Sequence, residues 1–381
     1  MILLQEETMR ILMMVSSIAM GGSERNIVSV LPYLKMGGCD VHLCTLNRRR
    51  DSPLADILFQ YGISRYDLGA VRMLDIKAVL KFFTYTREMK IDIIHAEDQD
   101  AIIYAGMAHI LLGIPTLMTR HVMEEPVTSW KTAQRARLVF LSARHGMNHV
   151  VAVSNIVRKN FVLQAKIPMS KVTTIYNGIE VEKFRTQERR NDIRSGLGWN
   201  LKRPIGIFIS VLRPGKGFEV LLEAIPLILA VLPDFQLKVV GGGELESDLR
   251  KQAAPFGDVI EFMGQRMDVP KLLACSDVLI QTSWSEALPT VLIEAGAACV
   301  PVVATDVGGT KEIVKDGESG FVIPPGDVQS LAKHVTEILK SPNLAQKMGS
   351  SAYAFVSKTF SLEKQAMETI ALYEKILEKR L

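Results

Sequence analysis

At 381 residues, 48% hydrophobic and 23% charged, with 27 Gly and 16 Pro, the chain has the composition of a folded α/β protein and not of a disordered or fibrous one. The length predicts two domains of roughly 180 residues, each long enough to bury its own core. A net charge of +4 is too small to imply nucleic acid, and Cys39, Cys44, Cys275 and Cys299 lack any C-x-x-C pairing, so a reducing cytoplasm is expected.

The N-terminus carries two acids ahead of a short apolar run over residues 10–17, which reads as a buried first strand rather than a signal peptide. No run of 18 apolar residues occurs, so no spanning helix is expected. Residues 23–36 have helical spacing and stop at Gly37 and Gly38, and residues 41–46 form the next strand, completing a β-α-β unit. In the turn Ala19-Met20-Gly21-Gly22-Ser23-Glu24-Arg25, the glycines let backbone approach a ligand and Ser23 is expected to cap the helix. The G-x-G-x-x-G spacing of a dinucleotide site is missing.

A strand over 91–95, a helix over 101–112 and a strand over 115–119 follow, with His121 just beyond. Asp98-Gln99-Asp100 is a D-x-D, a pattern short enough to arise by chance, and no metal is assigned to it. Between residues 126 and 171 stand eight Lys or Arg and no Asp or Glu. There Trp130, Leu138, Val139, Phe140 and Leu141 mix with Lys131, Arg135, Arg137 and Arg144, which suits an amphipathic helix on anionic headgroups or facing an acidic acceptor. A solvated helix face has the same composition. Residues 150–154 read as another strand, and the polar, Gly-bearing segment 185–203 as a linker.

A second array begins with a strand over 205–212, the loop Arg213-Pro214-Gly215-Lys216-Gly217 and a helix over 219–232. Strands over 235–240, 260–263 and 278–281 and a helix over 269–275 continue it. Two consecutive arrays of this kind predict two Rossmann-like domains, 1–190 and 191–361, with ligand at the carboxyl ends of their strands. Residues 362–381 form a charged amphipathic helix with Ala366, Ile370, Tyr373 and Leu377 on one face.

The most informative stretch is residues 283–309. Pro289 suits the first helical position and residues 290–298 continue the helix, whose unpaired early amides and positive dipole end make a place for phosphate or sugar hydroxyls. Glu286 precedes the helix and Glu294 lies about a turn inside it, so the two carboxylates can hold separate hydroxyl groups of one elongated ligand.

The order E-A-L-P-x4-E-A, followed by a Pro-led apolar strand over 301–304 and Gly308-Gly309, resembles the E-x7-E signature of the retaining family 4 glycosyltransferases. Asn177-Gly178-Ile179-Glu180 with Phe184 resembles the turn that closes the first domain in that family. The resemblance spans nearly the whole chain and implies the GT-B fold, an α/β architecture of two Rossmann-like β/α/β domains facing a central cleft. By it, domain 1–190 binds the acceptor and is joined by helix 362–381, while domain 191–361 binds the nucleotide sugar. Glu286 is then expected on the transferred sugar, Glu294 on the ribose, His121 on the donor sugar near the reacting carbon, and Gly21 and Gly22 at the cleft.

Departure of a nucleoside diphosphate needs a cation to meet the leaving charge. Lys216 and Arg213, with the Thr290 helix start, are expected to supply it without a metal or other cofactor. The family pattern G-R-L-x3-K-G reads S-V-L-R-P-G-K-G here, so Val211 stands at the arginine position and Arg213 substitutes from two residues along, provided the strand continues that far. The backbone around Gly264, Gln265 and Arg266 is expected at the base, and the amides of Ala287 and Leu288 at the sugar. A glycosidase needs carboxylates on either side of the scissile bond, whereas these two lie along one segment.

The expected activity is retaining transfer of a hexosyl unit from a UDP- or GDP-sugar to a lipid-linked or polysaccharide acceptor, in the cytoplasm against the inner membrane face. A sugar-nucleotide 2-epimerase of the same fold and a non-catalytic nucleotide-sugar-binding subunit are the alternatives.

Overall fold

The computed structural model describes residues 8–18, 21–47, 54–124 and 128–379. Ala19 and Met20 of the Gly-Gly turn, the two acids near the N-terminus and the beginning of the basic segment at residue 126 lie outside these. The chain divides into two compact units, one of residues 1–178 with 362–381 and one of residues 179–361.

The first unit runs β1 (Arg10–Val15), α1 (Gly22–Met36), β2 (Asp40–Thr45), α2 (Leu54–Gln60), β3 (Ser64–Asp67), α3 (Ile76–Glu88), β4 (Ile93–Ala96), α4 (Gln99–Leu112), β5 (Thr116–Arg120), α5 (Trp130–Leu141), β6 (His149–Ala152), α6 (Asn155–Ala165) and β7 (Val172–Thr174). Its sheet is parallel with order β3-β2-β1-β4-β5-β6-β7. β1 is almost wholly apolar because helices cover both faces of a parallel sheet, and Ile11 to Met14 are buried completely or nearly so. Strand order reverses between β1 and β4, the switch point beside which α/β sheets bind ligands.

The second unit continues with α7 (Arg190–Gly196), β8 (Ile205–Ile209), α8 (Phe218–Val231), β9 (Gln236–Val240), α9 (Glu246–Ala253), β10 (Ile260–Gly264), α10 (Val269–Ala274), β11 (Val278–Gln281), α11 (Thr290–Ala297), β12 (Val302–Thr305), α12 (Thr310–Ile313), β13 (Gly320–Ile323), α13 (Val328–Lys340) and α14 (Pro342–Thr359). Its sheet order is β10-β9-β8-β11-β12-β13, again parallel, with the switch point between β8 and β11. The polar segment 185–203 folds into this unit, with Arg194 buried and bonded to Asp277 and to the carbonyls of Cys275, Asn200, Leu201 and Arg203.

The last helix, α15 (Leu362–Glu378), packs in the first unit. Leu362, Ala366, Leu372, Tyr373 and Ile376 join the core made by β1, α1 and β2, and Ile370 and Leu377 pack at its edge. The apolar face expected of this helix is the face it buries.

Helix starts follow side-chain chemistry. Asp75, Asp98, Ser129, Ser154, Asp327 and Ser341 each accept from backbone N–H groups of the helix they precede. For the D-x-D this settles the role of its first member: Asp98 caps α4 through the amides of Asp100 and Ala101 and accepts from the Ser16 hydroxyl at 2.6 Å. Ser23 does not cap α1. The N-cap is Gly21, without a side-chain bond, and the Ser23 hydroxyl donates to Glu24 at 2.8 Å, because a serine two positions inside the helix cannot reach its free amides.

Candidate active site

Three loops leave the carboxyl ends of adjacent strands β8, β11 and β12 and are held together by backbone contacts that leave no room for a side chain. Gly217, at φ +68°, closes the loop after β8. A Cβ there would stand 1.8 Å from the carbonyl oxygen of Thr282, whose hydroxyl donates back to the Gly217 carbonyl at 2.7 Å. Gly308 does the same for the loop after β12, at φ +51° with its Cβ direction 1.6 Å from the Glu286 carbonyl oxygen. Thr305 ties in Ser283 by donating to its carbonyl at 2.6 Å.

On this frame Lys216 Nζ donates to Glu286 Oε1 at 2.7 Å, both side chains about 15% exposed. The same oxygen accepts from Ser283 Oγ at 2.8 Å and from Gln281 Nε2 at 3.2 Å. Glu286 Oε2 takes no hydrogen bond among the described residues, so the carboxylate is oriented through one oxygen and leaves the other for a ligand hydroxyl. Lys216 and Glu286 were each expected from the sequence; their direct pairing was not. Gln281, Thr282 and Ser283 were missed, although a polar run at the end of a buried apolar strand is a readable signal, since buried polar groups need partners.

Pro289 is the N-cap of α11 and Thr290 its first residue, a shift of one from the expected start; proline suits either place because its missing N–H would be unpaired in any case. Leu288 and Pro289 are buried, Ala287 and Thr290 half-buried, and the Ala287 carbonyl accepts from Gly309 N at 3.1 Å. Glu294 lies half-buried one turn along α11.

Arg213 is exposed in the loop after β8. The strand ends at Ile209, so Arg213 does not share a strand face with Val211, as the substitution required. Instead a tight turn, with Arg213 N donating to Val211 O at 2.9 Å, carries it out of the sheet. Arg266, after β10, makes a two-pronged pair with Asp268 at 2.8 and 2.6 Å. Gly241, at φ +127°, brings the end of β9 against the Ser210 carbonyl.

The first unit has its own polar centre where β4 and β5 end. His121 Nε2 lies 2.7 Å from Glu97 Oε2, and Glu97 is 8% exposed. Burial alone would push the Glu97 carboxyl up; the facing His95 and His121 with the Thr119 hydroxyl outweigh it and hold the group below the usual carboxylate range. His95, buried, is pushed down by burial and stays neutral; its Nδ1 meets Tyr373 Oη at 2.7 Å and its Nε2 Thr119 Oγ1 at 2.6 Å. Gly21 and Gly22 open α1 beyond β1, at the switch point of the same sheet. Among the described residues, no three His, Cys, Asp or Glu gather where they could hold a metal ion.

The family profile for glycosyltransferase family 4 matches residues 20–183, and that for glycosyl transferases group 1 matches residues 189–355. A GDP-mannose-dependent monoacylated alpha-(1-6)-phosphatidylinositol monomannoside mannosyltransferase of Corynebacterium glutamicum is 32% identical over 49% of this chain and 52% of its own. A UDP-Gal:alpha-D-GlcNAc-diphosphoundecaprenol alpha-1,3-galactosyltransferase of Escherichia coli is 24% identical over 69% of this chain and 70% of its own. Matches to other curated relatives span 64% and 48% of those proteins. Anabaena Alr3699/HepE, crystallised with UDP, superposes with a TM-score of 0.83 at 24% identity over 95% of this chain and 100% of its own, which shows the fold. With one profile on each array, two parallel Rossmann-like sheets and the E-x7-E segment at the switch point of the second, the chain belongs to the GT-B glycosyltransferases of group 1 and family 4.

Proposed function

We propose that this protein transfers a hexosyl unit from a UDP- or GDP-sugar to a glycan or lipid-linked acceptor with retention of anomeric configuration. The observation that carries this is the Lys216–Glu286 pair, held by three loops at the carboxyl ends of β8, β11 and β12. Lys216 has two further N–H groups for a diphosphate, and Glu286 has one oxygen for a sugar hydroxyl. Amides at the start of α11 supply more donors to the departing phosphate, and Arg213 adds a charge from the exposed loop after β8. Glu294 takes the ribose, Arg266 and its loop the base, and Ala287 and Leu288 the sugar through their amides. His121, with Gly21 and Gly22, contributes from the first unit, as the family resemblance implies.

In the reaction the bond from the anomeric carbon to the diphosphate oxygen breaks, its electron pair leaving with the nucleoside diphosphate. The acceptor oxygen bonds to the same face, and its proton passes to the departing phosphate. Charge on that phosphate is met by Lys216 and the helix start, with no metal required. Preorganised donors of this kind stabilise developing charge without reorganisation at the moment of reaction.

The relatives named above act on lipid-linked acceptors by their names, and the basic segment around α5 and α6 gives this chain a surface for anionic lipid. Trp130 and Leu163 are 66% and 75% exposed there, with Lys131, Arg137, Lys159 and Lys166 exposed around them. No helix among the described residues is long and apolar enough to cross a membrane. The epimerase alternative needs a second acid or base at the sugar C2, and Glu97, buried and bonded to His121, does not fit that part.

The test is incubation of purified protein with labelled UDP- and GDP-sugars and a membrane lipid extract. Label moving into the lipid or glycan fraction supports transfer. Isomerised donor without acceptor, or binding without turnover, defeats it in favour of the epimerase or the non-catalytic subunit.

A further inference from the structure

The geometry points to Glu97 as a positioning residue that fixes which nitrogen of His121 carries the proton, and so presents Nδ1 of that ring to the sugar as a hydrogen-bond acceptor. The inference rests on the reading of His121 as a donor-contacting group, and it assigns the part played by a carboxylate that the E-x7-E segment does not include.

The proton assignment follows from the chain of partners. Tyr373 is 0% exposed, and its hydroxyl is raised well above its ordinary value, by burial first and by the charge of Glu97, so it keeps its proton. It lies against Nδ1 of His95, which burial keeps neutral and which therefore has one proton to place. His95 Nε2 faces Thr119 Oγ1 at 2.6 Å and Glu97 Oε1 at 3.3 Å. A lone pair there would point at a carboxylate, so the proton sits on Nε2, and the Tyr373 hydroxyl donates to Nδ1. The Glu97 carboxylate thus accepts from the Thr119 hydroxyl, faces the His95 Nε2–H at Oε1 and, as an ionised group, can only accept. At its other oxygen it accepts from His121 Nε2 at 2.7 Å, which places the His121 proton on Nε2. His121 Nδ1 takes no hydrogen bond among the described residues. It is the atom left for substrate, and helix α15 reaches it through Tyr373, His95 and Glu97 in turn.

Glu97→Gln separates this role from simple packing. The side chain keeps its shape, but its one carbonyl is held toward the His95 Nε2–H, on the Oε1 side, which leaves the amide facing His121 Nε2. That nitrogen must then accept, and the His121 proton moves to Nδ1, turning an acceptor toward the sugar into a donor. In serine protease triads the same carboxylate-to-amide change leaves the geometry intact but puts the histidine in the wrong tautomer, and the loss falls on kcat.

The experiment is 15N NMR of the protein labelled at histidine, with the His121 signal identified by its loss in His121→Asn, together with steady-state kinetics on Glu97→Gln. The expected result is a proton on Nε2 of His121 in the parent and on Nδ1 in Glu97→Gln, with kcat lowered at least about tenfold and the donor KM within about threefold. A parent His121 protonated on Nδ1 overturns the inference even if Glu97→Gln fails to fold, and so does an unchanged kcat in a folded variant. The tautomer is read without substrate, so a parent with no turnover on any nucleotide sugar defeats the proposed function while the Glu97–His121 relation is still decided.

Discussion

A methyl group on Gly308 would stand 1.6 Å from the carbonyl oxygen of Glu286, closer than any non-bonded pair can approach. The glycine after β12 therefore fixes the backbone of the carboxylate after β11, and both conformation and space demand it, since φ is +51°. Gly308→Ala is expected to lower Tm and to cut activity more than the stability loss explains, because Glu286 must move with its carbonyl. Strain at such a position costs about 1–3 kcal/mol before the clash is counted. Thermal unfolding beside initial rates at a temperature where the variant is fully folded decides it; parent-like rates there would remove the link to Glu286.

Lys216→Ala and Glu286→Ala should each reduce turnover at least about a hundredfold with the fold intact. One charge-assisted hydrogen bond contributes about 1.5–3 kcal/mol, and on the proposed reading each variant loses its own ligand contact besides leaving the partner's charge unpaired. Arg213→Ala should cost less, roughly tenfold or under, because its exposed guanidinium is not preorganised. Initial rates on the three purified variants check the order; an Arg213 effect larger than that of Lys216 would reverse the assignment of the leaving-group cation.

For the membrane surface the cations to change are Lys131, Arg137, Lys159 and Lys166, which are exposed. Arg135 and Arg144 serve structure instead, Arg135 pairing with Asp100 at 3.1 Å and Arg144 donating to the Ala165 carbonyl at 2.5 Å. Replacing the four exposed cations with Gln should weaken pelleting with anionic vesicles, and the parent's pelleting should fall as salt rises. Equal pelleting of parent and variant rules the surface out.

His149 gives the first unit a pH dependence. Burial first, then Lys375, Lys379, Arg158 and Lys171, push its imidazole down from 6.5 to about 4. Between those values the unfolded chain binds a proton that the folded one refuses, so stability rises with pH across the window. The contribution is complete above about pH 6.5 and is lost as pH falls toward 4. His149→Asn should flatten Tm against pH in that window while the amide keeps a bond to Thr173, now 2.8 Å from the ring. A slope equal to the parent's would assign it to other groups.

Most of the strands were legible because a parallel sheet covered on both faces demands short, uninterrupted apolar runs, and the turns after them declared themselves by glycine. α2, β3 and α3 were not anticipated: β3 is a polar edge strand, Ser64–Asp67, with no apolar run to announce it. The chain also passes between units at residues 178 and 179, ahead of the polar segment that composition marks as a linker. Composition cannot see that this polar segment belongs to the second unit, because Arg194 within it is buried by five hydrogen bonds that appear only once the loops are in place.

The amino-acid order by itself determined the two β/α arrays and the E-x7-E segment and pointed to Lys216 and Glu286 as candidates, because periodicity, turn chemistry and charge are local properties; His121 came from the family resemblance. Only the tertiary structure decided that Lys216 bonds to Glu286 70 positions away, that Glu97 stands behind His121, and that Tyr373 in the last helix reaches His95 in the fourth strand. Partners this far apart in the chain meet through the register of a sheet and the packing of helices on it, and no window of sequence contains both members of the long-range pairs.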